Sequence, residues 1–210
     1  MKAFQLLCYL LMLTLTFSCK EDEDLSPDPV SPIYYNLNLD SYWVYQWYRI
    51  DTSGVETVLN TIDTIRNISD TIINGNQFIV QSGTFLGGHQ ADKFLRDSNG
   101  DLVDEKGRIL FSSTNFTDVL RRDTIASNEP LIAIEYQMAS SEFEEITTLA
   151  GTFSCLNYQG NHESFVPSFP WETRLSNSYY GVGIGEVQSS VFFASSLNDL
   201  ERRLVEFELK

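Results

Sequence analysis

Residues 42–50, with the sequence YWVYQWYRI, give the strongest indication of the fold. Tyr, Trp, Val and Ile are enriched in β-strands, and alternate side chains of an extended chain point to opposite faces. Trp43, Tyr45 and Trp47 therefore share one face, and Tyr42, Val44, Tyr48 and Ile50 share the other. Because both faces are apolar or aromatic, the stretch predicts a strand that is covered on both sides.

The same alternation recurs beyond the turn at 51–54, where residues 55–68 form a second strand with a half-polar pattern. Asn74-Gly75 and Asn99-Gly100 each stand between apolar runs, and such pairs favour the tight turns of β-hairpins. Further strands are predicted at 108–111, 132–138, 144–149, 152–158, 184–193 and 203–209. Residues 115–122 are predicted as one short helix.

Many short strands separated by turns indicate an all-β, antiparallel fold with little helix. The sheet is either strongly curled or doubled into a two-sheet sandwich or half-barrel. With 42% hydrophobic residues among 210, the chain can bury a core. We assign residues 33–210 to a single β-rich domain.

The charge of the chain bears on its partners. Fourteen Lys and Arg against 29 Asp and Glu give a net charge of −15. Such a chain repels phosphate backbones, so we exclude a nucleic-acid partner.

The N-terminus has the pattern of an export signal. Lys2 precedes the apolar run 3–17, which is too short to span a bilayer. The sequence 15–19, LTFSC, resembles the lipobox of bacterial lipoproteins. That resemblance implies a signal peptide over 1–18 and a lipid such as palmitate on Cys19, which anchors the chain to a membrane. An ordinary signal peptide that happens to contain Cys19 is the alternative.

Residues 19–32 form the tether, which carries three prolines and is expected to be extended. Its acidic run resembles the surface-export signal of Bacteroidota lipoproteins, and consists of Lys20, Glu21, Asp22, Glu23 and Asp24. The resemblance implies an outer-membrane lipoprotein exposed at the cell surface. The alternatives are a solvated acidic linker and a position on the periplasmic face.

Few residues suggest chemistry. No hydrolase, phosphate-binding or zinc motif is present, so we predict neither catalytic residues nor a cofactor. Asp97, Asn99 and Asp101 have the oxygen density that calcium favours, but a hairpin turn explains the same run without an ion. His162 is predicted to lie in a solvated loop. Cys155 has no basic neighbour in sequence and is predicted to be a small buried core residue.

Phe169 and Trp171 are candidate ligand contacts. Pro167 and Pro170 prevent regular strand pairing around them. We therefore predict a projecting loop with an exposed Trp171.

Over most of its length the chain resembles a group of Bacteroidota lipoproteins with no established activity. The resemblance is carried by residues 42–45, 96–100, 150–155, 179–183 and 201–205. It implies an all-β domain and supplies no catalytic residues.

Three functions are compatible with these features. The first is a surface-anchored, non-enzymatic module that binds an unknown protein, glycan or apolar ligand. The second is a periplasm-facing carrier of lipid or another apolar ligand, with the aromatic strand lining a half-open sheet. The third is a divergent envelope hydrolase that uses clustered acids, for which the sequence offers Glu135, Glu142, Glu144 and Glu145. That cluster also fits strand edges and a turn.

Overall fold

The structure is a computed structural model that describes residues 33–85, 88–127 and 130–210. Every helix or strand assigned within those residues is a β-strand, which confirms the all-β prediction. The thirteen strands are β1 (Tyr42–Ile50), β2 (Glu56–Ile73), β3 (Asn76–Phe85), β4 (His89–Ser98), β5 (Asp101–Asp104), β6 (Ile109–Ser112), β7 (Arg121–Ala126), β8 (Pro130–Met138), β9 (Glu144–Thr148), β10 (Gly151–Ser164), β11 (Thr173–Gly181), β12 (Gly185–Phe192) and β13 (Asp199–Glu208).

All thirteen strands belong to one antiparallel sheet. Its order is β6-β5-β4-β3-β2-β1-β13-β12-β11-β10-β8-β7, and β9 pairs with β10 outside this path. The N-terminal strand β1 therefore lies in the middle, paired with β2 on one side and with the C-terminal β13 on the other. This position explains why residues 42–50 are so rich in strand-forming side chains.

The two predicted Asn-Gly hairpins are confirmed. Asn74 and Gly75 connect β2 to β3 with φ angles of 50° and 79°, and Asn99 and Gly100 connect β4 to β5 with 58° and 90°. Both residues of each turn are left-handed, as in the turns that match the twist of paired strands.

The sheet curls into a nearly closed, barrel-like form. Register shifts in six of the strand pairs, among them β1–β13 and β2–β3, provide the local bends that β-bulges introduce. Side chains then join strands that are not neighbours. Tyr158 on β10 donates a hydrogen bond to the Ile109 carbonyl on β6 at 2.8 Å, and the Phe111 ring lies 4.5 Å from the Tyr180 ring on β11.

One part of the space inside the sheet is filled by aromatic and aliphatic side chains. Phe111, fully buried, contacts Tyr34 and Tyr35 from the segment that precedes β1. The surrounding cluster also includes Leu95, Leu102, Met138, Leu156, Tyr158 and Tyr180. Trp43, Tyr45, Ile65, Phe85 and Leu204 form a second cluster. The segment 33–41 thus closes part of the barrel.

Two predictions at the level of strands are wrong. Residues 116–118 form bends, because the Asn115 side chain accepts hydrogen bonds from the amides of Thr117 and Asp118. The predicted helix over 115–122 is absent, and β7 begins at Arg121. Strand β1 is fully covered on one face only. Trp43, Tyr45 and Trp47 are buried, whereas the residues of its opposite face are half-buried.

Candidate functional site

A cavity of about 550 Å³ lies inside the curled sheet. Leu59 on β2 and Ile125 on β7 both line it, although six strands separate β2 from β7 in the sheet order. The sheet therefore wraps around this space. The volume falls within the range of roughly 300–1,000 Å³ that is usual for small-molecule pockets.

The cavity wall is predominantly apolar. Its lining residues are Trp47, Leu59, Thr61, Ile125, Ile132, Tyr136, His162, Ser176, Val191, Phe192, Phe193, Ala194 and Leu200. The sequence alternation of β2 accounts for part of this wall, because Leu59 and Thr61 share the inward face with the buried Asp63 and Ile65. The aromatic strand β1 contributes Trp47.

Trp171 is buried, which corrects the predicted exposure of this residue. Only 9% of its surface is accessible, and its indole donates a 2.8 Å hydrogen bond to the Ala194 carbonyl. Its ring packs edge-on against Phe192 of the cavity wall at 5.3 Å, and Phe169 stacks on it at 5.9 Å. The proline-flanked segment thus folds onto the wall, where an indole can bury its apolar area and still satisfy its N–H. Trp171 supports the wall from behind, and ligand contact by Phe169 or Trp171 stays a prediction.

His162 also differs from its prediction as a loop residue. It lies on β10 and lines the cavity, with its Nε2 2.9 Å from the Ser176 hydroxyl on β11. Burial and the nearby charge of Arg174 lower the pKa of the imidazole to about 4, so the ring is neutral at neutral pH. Gly160 makes room for this group, since a Cβ there would stand 2.7 Å from the Ser176 hydroxyl oxygen and 3.1 Å from the His162 Nε2.

A charged cluster lies on the inward face of the central strands, outside the cavity lining. Arg202 on β13 forms ion pairs with Glu186 on β12 and, at 3.7 Å, with the fully buried Asp63 on β2. Asp63 also accepts a 2.9 Å hydrogen bond from the Trp47 indole. The Arg202 guanidinium lies over the Tyr45 ring at 4.4 Å. Trp47 therefore connects the charged cluster to the cavity wall.

The charges of this cluster hold one another ionised. Burial opposes ionisation of Glu186, but the cations Arg202 and Lys93 outweigh it and keep the pKa of the carboxyl below its ordinary value. Lys93 lines a small recess and is partly exposed. Burial of its amine and the nearby charge of Arg202 lower the pKa of that amine to about 8. The arrangement is a network of paired charges, and none of Asp63, Lys93, Glu186 and Arg202 lines the cavity.

The remaining candidate residues lie apart from the cavity. Cys155 is fully buried, as predicted, and burial raises the pKa of its thiol to about 12. Asp97 accepts a hydrogen bond from Tyr35 beside the Asn99-Gly100 turn. Across the described ranges 33–85, 88–127 and 130–210, no three His, Cys, Asp or Glu side chains are grouped as a metal site requires. Calcium binding by Asp97, Asn99 and Asp101 stays a prediction.

The clustered acids of the hydrolase alternative mark strands and a turn. Glu135 on β8 pairs with Arg122 on β7 at 2.8 Å, and both side chains are exposed. Glu144 and Glu145 are exposed on β9, and the Glu142 amide belongs to the turn before it.

The signal peptide, Cys19 and the acidic run Lys20–Asp24 lie outside the described residues. Within residues 33–85, 88–127 and 130–210, no helix is long and apolar enough to cross a membrane.

Comparisons with known proteins identify relatives of the fold. No protein-family model matches the chain, and no curated protein matches it significantly. A protein of Bacteroides fragilis, described as exported and as having a YmcC-like fold, superposes with a TM-score of 0.54 at 14% identity, over 84% of this chain and 99% of that one. A protein of Parabacteroides distasonis described as a lipoprotein gives a TM-score of 0.49 at 14% identity, over 84% and 99% of the two chains. The hypothetical lipoprotein YmcC of Escherichia coli gives 0.37 at 12% identity, over 78% and 84%. The chain therefore shares its fold with the exported protein of Bacteroides fragilis.

Proposed function

We propose that this protein is a lipid-anchored protein of the bacterial outer membrane whose β-domain binds an apolar ligand without transforming it. The observation that carries the proposal is the 550 Å³ cavity inside the curled sheet, with its predominantly apolar wall. An apolar cavity of this size favours an apolar occupant, because burial removes the surface of both from water. A lipid chain has the chemistry that this wall would recognise.

The anchor is supported by the sequence that precedes the domain. The lipobox-like residues 15–19 end in Cys19, and the acidic run 20–24 follows directly. The fold shared with an exported protein of Bacteroides fragilis agrees with a place in the envelope. We place the domain at the cell surface because of the acidic run, and the periplasmic carrier is the second candidate.

Ligand binding is tested by filling the cavity. Leu59 lines it, whereas the neighbouring Val58 is 64% exposed on the outward face of β2. We expect Leu59→Trp to occupy the cavity and to reduce binding of a neutral fluorescent probe, N-phenylnaphthylamine, by about tenfold or more. Native mass spectrometry of gently purified protein should also show less co-purifying lipid.

The control is Val58→Trp, which adds the same side chain one residue away and should bind the probe like the unaltered protein. Equal binding by all three proteins would place the probe outside the cavity. If the unaltered protein neither retains lipid nor binds the probe, the proposed function is wrong.

The anchor and its location need separate experiments. Metabolic labelling of cells with palmitate should label the processed protein, and Cys19→Ser should abolish that label. Protease treatment of intact cells should then degrade the domain. If the domain survives until the outer membrane is broken, the protein faces the periplasm and the carrier alternative is correct.

A further inference from the structure

Among the residues that the structure describes, those that line the cavity include no Lys, Arg, Asp or Glu. Its polar members are Thr61, Tyr136, Ser176 and His162, and the imidazole is neutral. A charged group buried against such a wall would lose its hydration without gaining a counter-ion, which is strongly unfavourable. The wall thus discriminates between ligands by charge as well as by polarity.

Two cations that pack against aromatic rings of the cavity wall already have partners. Arg174 lies over the ring of Phe192 at 4.1 Å, and its guanidinium donates to the Asp199 carboxylate at 2.6 Å and to the carbonyls of Leu197 and Asn198 at 3.2 Å. Arg121 lies over the ring of Tyr136 at 3.7 Å and pairs with Asp123 at 3.1 Å. Each guanidinium therefore already has a carboxylate partner.

One polar point interrupts the apolar wall. The Ser176 hydroxyl lies 2.9 Å from Nε2 of His162, and both residues line the cavity. A hydroxyl can donate one hydrogen bond and accept two, so Ser176 retains capacity for a ligand after its contact with the imidazole. A neutral hydroxyl or carbonyl group on the ligand matches that capacity.

We propose that the cavity selects an uncharged amphiphile, an apolar chain that carries a hydroxyl or carbonyl group, with Ser176 and His162 as its polar contact. This inference rests on the proposed function and names the class of ligand. It separates neutral lipids, such as long-chain alcohols and monoesters, from fatty acids and amines of the same length.

Competition among ligands with one chain and different headgroups tests the selection. In this experiment oleyl alcohol, oleate and oleylamine are each titrated into the full-length protein with N-phenylnaphthylamine bound, at neutral pH and below the concentration at which they form micelles. We expect the alcohol to bind at least about tenfold more tightly than either charged ligand. Equal affinity for oleate or oleylamine would overturn the inference and leave the proposed function standing. If none of the three displaces the probe, both are wrong.

The polar contact is tested with Ser176→Ala. We expect this variant to lose about three- to tenfold in affinity for oleyl alcohol and to bind octadecene, which has no hydroxyl, as the unaltered protein does. Ser178→Ala, two residues further along β11 and outside the cavity lining, is the matched control. Equal losses for octadecene and the alcohol in Ser176→Ala would show that the serine only maintains the shape of the wall.

Discussion

His162 shows most clearly how the environment of one residue decides its chemistry. The sequence contains two histidines, and only His162 faces the cavity. Its burial and the proximity of Arg174 hold it neutral. The signal for this role was weak in the sequence, because His162 follows polar residues and precedes a proline-rich segment. Its alternation with Tyr158 and Gly160 places it on the inward face of β10, which becomes informative once the length of that strand is known.

The lowered pKa of His162 predicts a specific loss of stability in acid. The ordinary imidazole pKa is 6.5 and the folded value is about 4, so the unfolded chain binds a proton more readily between these values. The free energy of unfolding should therefore fall as the pH drops from 6.5 towards 4. The full pKa difference corresponds to about 3 kcal/mol, and because solvent screens the partly buried imidazole we expect the histidine to contribute about 1–2 kcal/mol of that fall. Urea unfolding of His162→Gln should show a correspondingly shallower pH dependence.

The control for this measurement is His89→Gln. His89 is exposed at the start of β4 and should leave the slope of the unaltered protein intact. An unchanged slope in His162→Gln would show that carboxylates alone produce the loss of stability in acid.

At the scale of elements, local sequence signals predicted hairpins and most strands well. The Asn-Gly pairs determined two turns by their tolerance of left-handed backbone, and the aromatic alternation of residues 42–50 determined β1. Strands β7 and β11 were missed for physical reasons. β7 is an edge strand with charged side chains, and β11 is rich in Ser, Asn and Thr, so neither shows the apolar alternation that indicates a strand.

The cavity could not be predicted because its wall joins side chains that are far apart in sequence. Leu59 and Ile125 meet only through the curl of the sheet, and that curl depends on bulges that leave no clear sequence pattern. Trp171 was misplaced for a related reason. Its flanking prolines correctly excluded strand pairing, yet the apolar surface formed by Ile132, Ile134 and Phe192 determined where the loop packs.

Gly83 permits the close approach of β3 to β2. A Cβ at this position would stand 2.2 Å from the Thr64 carbonyl oxygen and 2.7 Å from the Ile65 Cα, which are backbone atoms that cannot move aside alone. Gly83→Ala should therefore cost about 3 kcal/mol or more of unfolding free energy, measured by urea denaturation. Gly75→Ala is the control, because its φ is +79° but nothing lies within 4 Å of its Cβ position, so only about 1 kcal/mol of backbone strain is expected. Equal losses of unfolding free energy in the two variants would show that β2 and β3 can move apart at Gly83 without destabilising the fold.

At the scale of the whole molecule, packing divides the interior of the sheet into two parts. Around Phe111 and Trp43 the space is filled, and beyond Trp47 it is hollow. The charged cluster adjoins both parts, since Tyr45 belongs to the filled side and Trp47, which donates to Asp63, lines the cavity. Buried ion pairs favour a unique arrangement of the groups around them, because any other arrangement leaves a charge unpaired. The hollow part thus lies beside a neighbour that side chains largely fill.

Arg202 lies at the boundary between these two parts of the interior. It joins strands β13, β12 and β2 by pairing with Glu186 and with the fully buried Asp63. Arg202→Met removes the cation that pairs with the buried Asp63 and leaves Glu186 with Lys93 alone. We therefore expect a loss of about 3–5 kcal/mol in unfolding free energy. Arg122→Met removes an arginine that is 69% exposed and pairs with Glu135, and should cost less than about 1 kcal/mol. Adding Asp63→Asn to Arg202→Met should restore part of the loss, because the amide carries no charge that needs a partner. If the single Arg202 variant is as stable as the Arg122 variant, water reaches the cluster and the two parts of the interior are not held apart by charge.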